Sequence, residues 1–208
     1  MCAIVGSFDK EKLADLIQLN YYRGNHSYSL LEYNWKENRI EKLVRGFGDF
    51  DFYALKSISN NGNYFIAHTQ APTTSGNGFF NIHPSESQET LLYHNGILKE
   101  NYIKDLQKEY SPNEKWDTKL LHYHIEEGRD LSEVEGTFSC LHYDGFNFKL
   151  FRNEIAPMFI DKHFNISSTK DKGFQPTIPN KEFIMDFEHK CLEFFGSFET
   201  KENPYFFG

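Results

Sequence analysis

The amino terminus carries the residue whose chemistry is clearest. Cys2 directly follows the start methionine, and a small residue at this position favours removal of Met1. Removal would leave a free α-amine beside the thiol of Cys2. An α-amine has a pKa of roughly 7.7–8.0, near the ideal for a general base at neutral pH, and it can activate a cysteine that carries it. Taken alone, Cys2 is better explained as a small buried residue at the start of a strand.

Other residues that could do chemistry are spread along the chain. The three cysteines, Cys2, Cys140 and Cys191, are far apart and odd in number. This pattern argues against a disulfide framework or a zinc module, and it predicts a reducing cytoplasm. His122 and His124 are two residues apart in a predicted helix, so they do not share a face. We therefore predict no metal site and no cofactor.

Composition excludes several classes of function. The 208 residues suit one domain with a short appendage, and 39% of them are hydrophobic, which is typical of a globular chain. The net charge is -8 and no stretch is strongly basic, so we expect no nucleic-acid partner. No run of 18 apolar residues and no secretory signal are found, so we expect no membrane association.

The elements that must position these residues follow from hydrophobic periodicity and turn signals. Strand patterns are found at residues 3–8, 28–33, 40–44, 64–69, 90–94, 137–143, 148–152, 158–160, 183–187 and 191–195. Helix patterns are found at residues 9–20, 51–57, 100–110 and 118–127. Runs of strands with two consecutive helices between them, and no regular strand-helix alternation, predict an α+β fold with antiparallel sheets.

Five segments resemble, in their order and spacing, the glutaminase domain of the class II glutamine amidotransferases, which belong to the N-terminal nucleophile (Ntn) hydrolase superfamily. The segments are Cys-Ala-Ile-Val-Gly at 2–6, Arg-Gly-Asn-His-Ser at 23–27, His-Thr-Gln at 68–70, the pair Asn-Ile-His-Pro at 81–84 and His-Asn-Gly at 94–96, and Asp-Thr at 117–118. The resemblance covers about residues 2–160. It implies a four-layer αββα sandwich of two antiparallel sheets flanked by helices. It also implies an amidotransferase-like domain over residues 1–165, with 166–208 as a C-terminal extension that packs on it.

The resemblance also assigns catalytic roles. Cys2 would be the nucleophile that attacks a γ-carboxamide such as that of glutamine and forms a thioester. The Asn95 side-chain amide and the Gly96 N–H would donate to the developing oxyanion. Arg23 would brace the loop beside the nucleophile. Asp117 would bind the α-ammonium group of the substrate, although its position before a helix also fits an N-cap.

Four further positions complete the substrate site that the resemblance implies. Thr73 and Thr74 would donate hydroxyl groups, and His83 would be a structural hydrogen-bonding residue beside them. Gln70 departs from the family, in which an arginine at this position binds the α-carboxylate. A neutral amide replaces a charge-assisted, bidentate clamp, so free glutamine should bind more weakly by a few kcal/mol.

Three functional hypotheses remain open at this point. The first is a stand-alone hydrolase that releases ammonia, with Arg45 or Lys99 replacing the missing cation. Only about 45 residues follow the resemblance, too few for a synthase domain, so the ammonia would pass to a separate synthase partner or be released. The second is a catalytically impaired protein that keeps the fold and binds a partner. The third is an amidase for γ-glutamyl compounds other than free glutamine, with the α-carboxylate blocked.

Overall fold

The computed structural model describes residues 2–58, 61–71 and 78–200. Within these ranges the chain forms strands and α-helices in the following order: β1 Ala3–Ser7, α1 Lys10–Asn20, β2 Ser27–Asn34, β3 Arg39–Phe47, α2 Phe52–Ser57, β4 Tyr64–Gln70, β5 Ser85–Ser87, β6 Thr90–Leu98, α3 Glu100–Glu109, α4 Asp117–Glu126, β7 Gly136–Tyr143, β8 Phe148–Arg152, β9 Phe159–Ile160, β10 Ile166–Ser167, β11 Gln175–Pro176, β12 Lys181–Asp186 and β13 Cys191–Ser197. Three short 3-10 turns lie between them, at Tyr21–Arg23, Phe79–Asn81 and Leu131–Glu133.

The strands form two sheets. The first sheet has the order β11-β9-β10-β1-β4-β2-β3, and the second has the order β13-β12-β8-β7-β6-β5. Every pairing between these strands is antiparallel. The first strand of the chain, β1, therefore lies inside the first sheet, between β10 and β4, with neighbours on both sides. This position fixes the backbone that leads into Cys2.

The two sheets face each other across one hydrophobic core. Ile4 and Ile66 from the first sheet share this core with Tyr93 and Leu141 from the second, and all four are buried. Because side chains alternate along a strand, only every second residue of β1 can point into this layer. Aromatic rings close the core at one end, where the centroids of Tyr33 and Phe148 are 4.9 Å apart.

Helices cover the outer face of each sheet. Leu13 and Ile17 of α1 pack with Val5 of β1 in a second core cluster. Leu120 of α4 packs with Phe138 of β7 in a third. The order of layers is therefore helix, sheet, sheet, helix, and the predicted α+β sandwich of two antiparallel sheets is confirmed.

The start of α1 shows how local sequence sets these layers. The Asp9 carboxylate accepts hydrogen bonds from the backbone N–H of Glu11 at 2.8 Å and of Lys12 at 3.2 Å. An aspartate at this N-cap position satisfies N–H groups that lack a partner inside the helix. The helix thus begins directly after β1 and returns along the outside of the first sheet.

The segment predicted as a C-terminal extension contributes strands to both sheets. β10 pairs with β1, with Val5 opposite Ser167. β12 pairs with β8 and β13 pairs with β12, which widens the second sheet by two strands. Residues 201–208 lie outside the described part of the chain. The strands from residue 166 onward are therefore continuous with the sheets that carry the candidate site.

No helix in the described part of the chain is long and apolar enough to cross a membrane.

Candidate active site

Cys2 lies at the entrance to β1, where the two sheets and α4 meet. Its side chain is 6% exposed, and its thiol donates to the Ala71 carbonyl oxygen at 3.6 Å. Burial raises the pKa of Cys2 to about 11, because a thiolate loses hydration in this environment. The Asp117 carboxylate also raises this pKa. In this environment the thiol form is favoured at neutral pH.

Two buried side chains hold the backbone carbonyl oxygen of Cys2. Arg23, at the end of the 3-10 turn before β2, donates from Nε at 2.8 Å. Asn95, on β6 of the opposite sheet, has its amide nitrogen 2.9 Å from the same oxygen. The atom nearest this carbonyl must be the amide nitrogen, because two oxygen acceptors cannot bond to each other. The backbone of Cys2 is therefore anchored by the turn before β2 and by a strand of the second sheet.

The Asn95 amide oxygen also has hydrogen-bond partners. It accepts from Arg23 Nη2 at 3.2 Å and from the Ser168 hydroxyl at 3.2 Å. Ser168 also accepts from the Ile4 N–H at 2.9 Å, which connects it to β1. Both amide atoms of Asn95 thus have partners, so the side chain has one defined orientation beside Cys2.

Gly96 follows Asn95 on β6 and lines the same cavity as Cys2. A Cβ atom at this position would lie 1.8 Å from the Thr137 carbonyl oxygen on β7 and 2.6 Å from His94 Nε2. No side chain fits in that space. The backbone of β6 can therefore approach both β7 and the cavity only with glycine at this position.

Asp117 is the first residue of α4, and its side chain is buried. Its Oδ1 atom accepts from the Thr118 N–H at 2.8 Å. Its Oδ2 atom is buried and has no hydrogen-bond partner within the described residues. The first turn of a helix favours negative charge, because the N–H dipoles point toward it. Asp117 therefore presents an unpaired carboxylate oxygen at the cavity.

Gln70, the last residue of β4, belongs to a row of polar side chains that line one wall of the cavity. Its Nε2 donates to the Asn81 carbonyl oxygen at 3.1 Å, and its Oε1 lies 3.0 Å from His83 Nδ1. His83 Nε2 lies 3.1 Å from the Thr118 hydroxyl, which lies 3.2 Å from His94 Nδ1. Burial lowers the pKa of both His83 and His94, so uncharged rings are favoured. Gln70 is thus held at both ends of its amide.

The two cations considered as replacements for the missing arginine lie elsewhere. Arg45 donates from Nε to the Ile82 carbonyl oxygen at 3.0 Å and from Nη2 to the Pro84 carbonyl oxygen at 2.7 Å, and it pairs with Glu86. Lys99 lies 3.8 Å from a carboxylate oxygen of Glu135. Neither residue lines the cavity at Cys2. Thr73 and Thr74 lie outside the described residues.

The cavity itself is small. Its volume of about 10 Å³ is roughly the space that one water molecule needs. The lining residues are Cys2, Gln70, Ala71, His83, His94, Gly96, Trp116, Asp117 and Thr118. Among the described residues, no lysine or arginine lines it, and no cluster of three or more metal-ligating side chains is found. Asp117 is therefore the only charged side chain in the described lining.

The structure brings most of the predicted site residues together. Cys2, Gly96 and Asp117 line one cavity, and Arg23 and Asn95 hold the Cys2 backbone. Gln70 and His83 lie on its other side. Sequence reasoning assigned no site role to two contributors, Ser168 and Thr118. Ser168 belongs to a stretch that resembles nothing recognisable, whereas Thr118 is part of a resembling segment but directly follows the residue that was given the role.

Comparisons with known proteins are informative at the level of the fold. No protein-family model and no curated protein matches the chain. Among solved structures, glutamine phosphoribosylpyrophosphate amidotransferase from B. subtilis, complexed with ADP and GMP, matches with a TM-score of 0.68 and 16% identity over 94% of this chain and 49% of that chain. The allosteric regulatory enzyme of purine biosynthesis matches with a TM-score of 0.63, also at 16% identity, over 94% of this chain and 49% of that chain. A protein described as a glutamine amidotransferase from Pseudomonas aeruginosa matches with a TM-score of only 0.37 and 13% identity over 88% of this chain and 92% of that chain, a likeness too weak to interpret.

These likenesses define the class of fold. The chain has the sandwich fold of the Ntn hydrolases, with a cysteine next to its first residue at the cavity between the sheets. Within that class its fold is that of the glutaminase domain of the class II glutamine amidotransferases. The chain spans about half the length of each of the first two structures it matches.

Proposed function

We propose that this protein is a glutamine amidotransferase-like hydrolase that cleaves a carboxamide through a thioester on Cys2. The observation that carries the proposal is the double anchoring of the Cys2 carbonyl oxygen by Arg23 and Asn95. Two buried polar side chains, one from the turn before β2 and one from β6 of the second sheet, converge on the backbone of one cysteine. This arrangement fixes the direction of the thiol relative to Gly96 and Asp117, as a positioned nucleophile requires.

The reaction follows from the groups in the cavity. After Met1 is removed, the α-amine of Cys2 takes the thiol proton, and the thiolate attacks the amide carbon. An S–C bond forms, the C–N bond breaks, and the amine proton leaves with the nitrogen as ammonia. Water then attacks the thioester, the S–C bond breaks, and the carboxylic acid product is released. The α-amine accepts a proton from this water and returns it to the thiolate.

The oxyanion that forms in both steps needs hydrogen-bond donors. The Asn95 amide has two N–H groups, and one of them donates to the Cys2 carbonyl oxygen. The second N–H, together with the backbone of Gly96, would stabilise the oxyanion, as the resemblance predicts. Removal of one such donor typically lowers turnover by roughly 10²–10³.

The proposal is tested by the identity of the amino terminus and by ammonia release. Intact-mass measurement should show that the chain has lost Met1, and ammonia should be released from carboxamides such as glutamine or its derivatives. Cys2→Ala should abolish this release. Cys191→Ser is the matched control, since Cys191 is exposed on β13 in the second sheet, and it should leave the rate unchanged. Equal ammonia release from Cys2→Ala and the unchanged protein would contradict the proposal.

The fate of the ammonia is part of the same proposal. We infer that a separate synthase chain accepts it, in the cytoplasm that the cysteine pattern predicts. In that case the purified chain alone should release ammonia into solution, and addition of the acceptor chain should lower the amount released per amide cleaved.

A second function is favoured by the size of the cavity. A volume of about 10 Å³ and a thiol with a pKa of about 11 fit a protein that keeps the fold and binds a partner without turnover. In that case Met1 would be retained, no amide would release ammonia, and an electrophilic glutamine analogue would not label Cys2.

A further inference from the structure

We propose that the amide substrate carries a free amine but no free carboxylate beside it. This inference rests on the proposed hydrolase function and narrows its substrate class. Two kinds of molecule fit: simple amino-carboxamides, and peptides with glutamine at the amino end, whose α-carboxyl group is in a peptide bond. Free glutamine has both the amine and the carboxylate, so the structure predicts that it is the poorer substrate.

The side-chain amide of Gln70 already has hydrogen-bond partners within the protein. Its Nε2 donates to the Asn81 carbonyl oxygen at 3.1 Å. Its Oε1 accepts from the backbone N–H of His83 at 3.4 Å and from His83 Nδ1 at 3.0 Å. At most one N–H of the amide is left for a ligand, and it is uncharged. A carboxylate would lack the charged, two-point partner that an arginine provides.

The nearby guanidinium groups of Arg23 and Arg45 also bind other partners. Arg23 bonds to the Cys2 carbonyl oxygen and the Asn95 amide oxygen. Arg45 bonds to the Ile82 and Pro84 carbonyl oxygens and to a glutamate carboxylate. Neither guanidinium lines the cavity. Burial also favours the uncharged imidazoles that line it, so they offer no positive charge to an anion.

The cavity does contain a negative charge. The Asp117 carboxylate is the only charged group in the described lining, and its Oδ2 atom is buried without a partner. A buried acceptor left unpaired is unfavourable, and an ammonium group would satisfy it. A carboxylate placed beside Asp117 would be repelled by it. The field at the site therefore favours a cation and opposes an anion.

Substrates that differ from glutamine by one group test this directly. 4-Aminobutyramide is glutamine without its carboxylate, glutamine α-(N-methylamide) has the carboxylate blocked as in a peptide bond, and N-acetylglutamine has the amine blocked. We expect kcat/KM for the first two to exceed that for glutamine by about tenfold or more, since like charges in contact are strongly unfavourable. N-acetylglutamine should be the poorest of the four. Equal or better use of glutamine than of 4-aminobutyramide would overturn the inference.

Two substitutions separate the contributions. Gln70→Arg should move the preference toward free glutamine by introducing a cation. Asp117→Asn should lower kcat/KM for 4-aminobutyramide by about tenfold or more while it changes that for N-acetylglutamine little. Thermal denaturation of each variant checks that the fold is kept. An unchanged substrate preference in both folded variants would contradict the assignment of charge in the cavity.

A binding measurement separates failure of this inference from failure of the proposed function. Cys2→Ala cannot form a thioester, so ligand affinity can be measured without turnover. It should bind 4-aminobutyramide more tightly than glutamine. Tighter binding of glutamine would overturn the inference alone, even if ammonia is released. If no amide binds and none releases ammonia, both the inference and the hydrolase function are wrong.

Discussion

The reactivity of the Cys2 thiol should depend strongly on whether Met1 is present. With Met1 in place, burial raises the pKa of Cys2 from the ordinary value of 9.0 to about 11. A rise of two units corresponds to about 3 kcal/mol of preference for the thiol over the thiolate. Removal of Met1 places an α-amine on the same residue, where it can take the thiol proton.

The expected size of the effect follows from these values. At pH 8, a thiol with a pKa of about 11 is ionised in about one molecule in a thousand, whereas an exposed cysteine with a pKa of roughly 8.5 is about one-quarter ionised. Alkylation of Cys2 in the Met1-containing chain should therefore be slower by roughly two orders of magnitude. Its rate should rise about tenfold per pH unit up to about pH 11, because only the thiolate reacts.

Alkylation by iodoacetamide, followed by mass spectrometry of the cysteine peptides, measures this effect. Free cysteine is the rate reference, because desolvation and the Asp186 and Glu193 carboxylates raise the pKa of the exposed Cys191. Cys140 is fully buried and should stay unmodified. In the chain without Met1, the rate at Cys2 should be higher at neutral pH and should level off near pH 8, close to the pKa of the amine. Identical pH profiles for the two forms, or levelling near pH 8 with Met1 present, would refute this reasoning.

Three further substitutions test other parts of the site and fold. Gly96→Ala should lower the melting temperature strongly, because the new Cβ would lie 1.8 Å from a carbonyl oxygen. Gly196→Ala is the control and should have little effect, because its Cβ would meet only a flexible glutamate carboxylate at 3.3 Å. Asn95→Ala should lower ammonia release by roughly 10²–10³ in a protein that still folds, and a change below about threefold would count against its oxyanion role. Asp9→Ala should cost about 1 kcal/mol in denaturant unfolding, since two N–H groups of α1 lose their cap, while Asp15→Ala on the exposed face of the same helix should cost much less.

Hydrophobic periodicity was sufficient to predict most of the elements. The strand predicted at residues 64–69 is Tyr64–Gln70, and the helix predicted at 100–110 is Glu100–Glu109. Both have apolar residues at regular spacing that must be buried, and that requirement is visible in the sequence. The two-residue strand Ile166–Ser167 was not predicted, because too few residues repeat to give a pattern. Its pairing depends on tertiary contacts with β1.

The candidate site was predictable where residue type and order are restrictive. Cys2, Asn95, Gly96 and Asp117 were singled out from the sequence, and the structure brings them to one place. Their catalytic and binding roles stay predictions. The part played by Ser168 could not be predicted, since a serine more than 70 residues from Asn95 has no local signal that would connect the two.

Only the structure could show whether another cation replaces the arginine that is absent at position 70. A sequence shows that Gln70 stands where the resembling family has an arginine, but it does not show which atoms the glutamine amide contacts. Arg45 and Lys99 were reasonable replacements by charge alone. Their partners are backbone carbonyls and carboxylates outside the cavity, and such contacts depend on side-chain direction rather than on residue type.

The hydrogen bonds in the polar row that lines the cavity all run in one direction. Gln70 Oε1 can only accept, so His83 carries its hydrogen on Nδ1 and accepts the single Thr118 hydrogen at Nε2. Thr118 then has only lone pairs for His94, which must donate from Nδ1. All hydrogens in the row therefore point from His94 toward Gln70 and on to the Asn81 carbonyl, an arrangement in which each bond polarises the next.

Through this row of hydrogen bonds, the side chain at position 70 determines which nitrogen of His94 carries the hydrogen. His94 lies beside Gly96. His94 Nε2 lies 3.2 Å from the Thr137 carbonyl oxygen, so two acceptors face each other when the single hydrogen of the uncharged ring is on Nδ1. Asp117 acts against burial by raising the pKa of His94. A change at Gln70 that supplies a donor in place of Oε1 would reverse the row, so the identity of one amide sets the tautomers of two imidazoles.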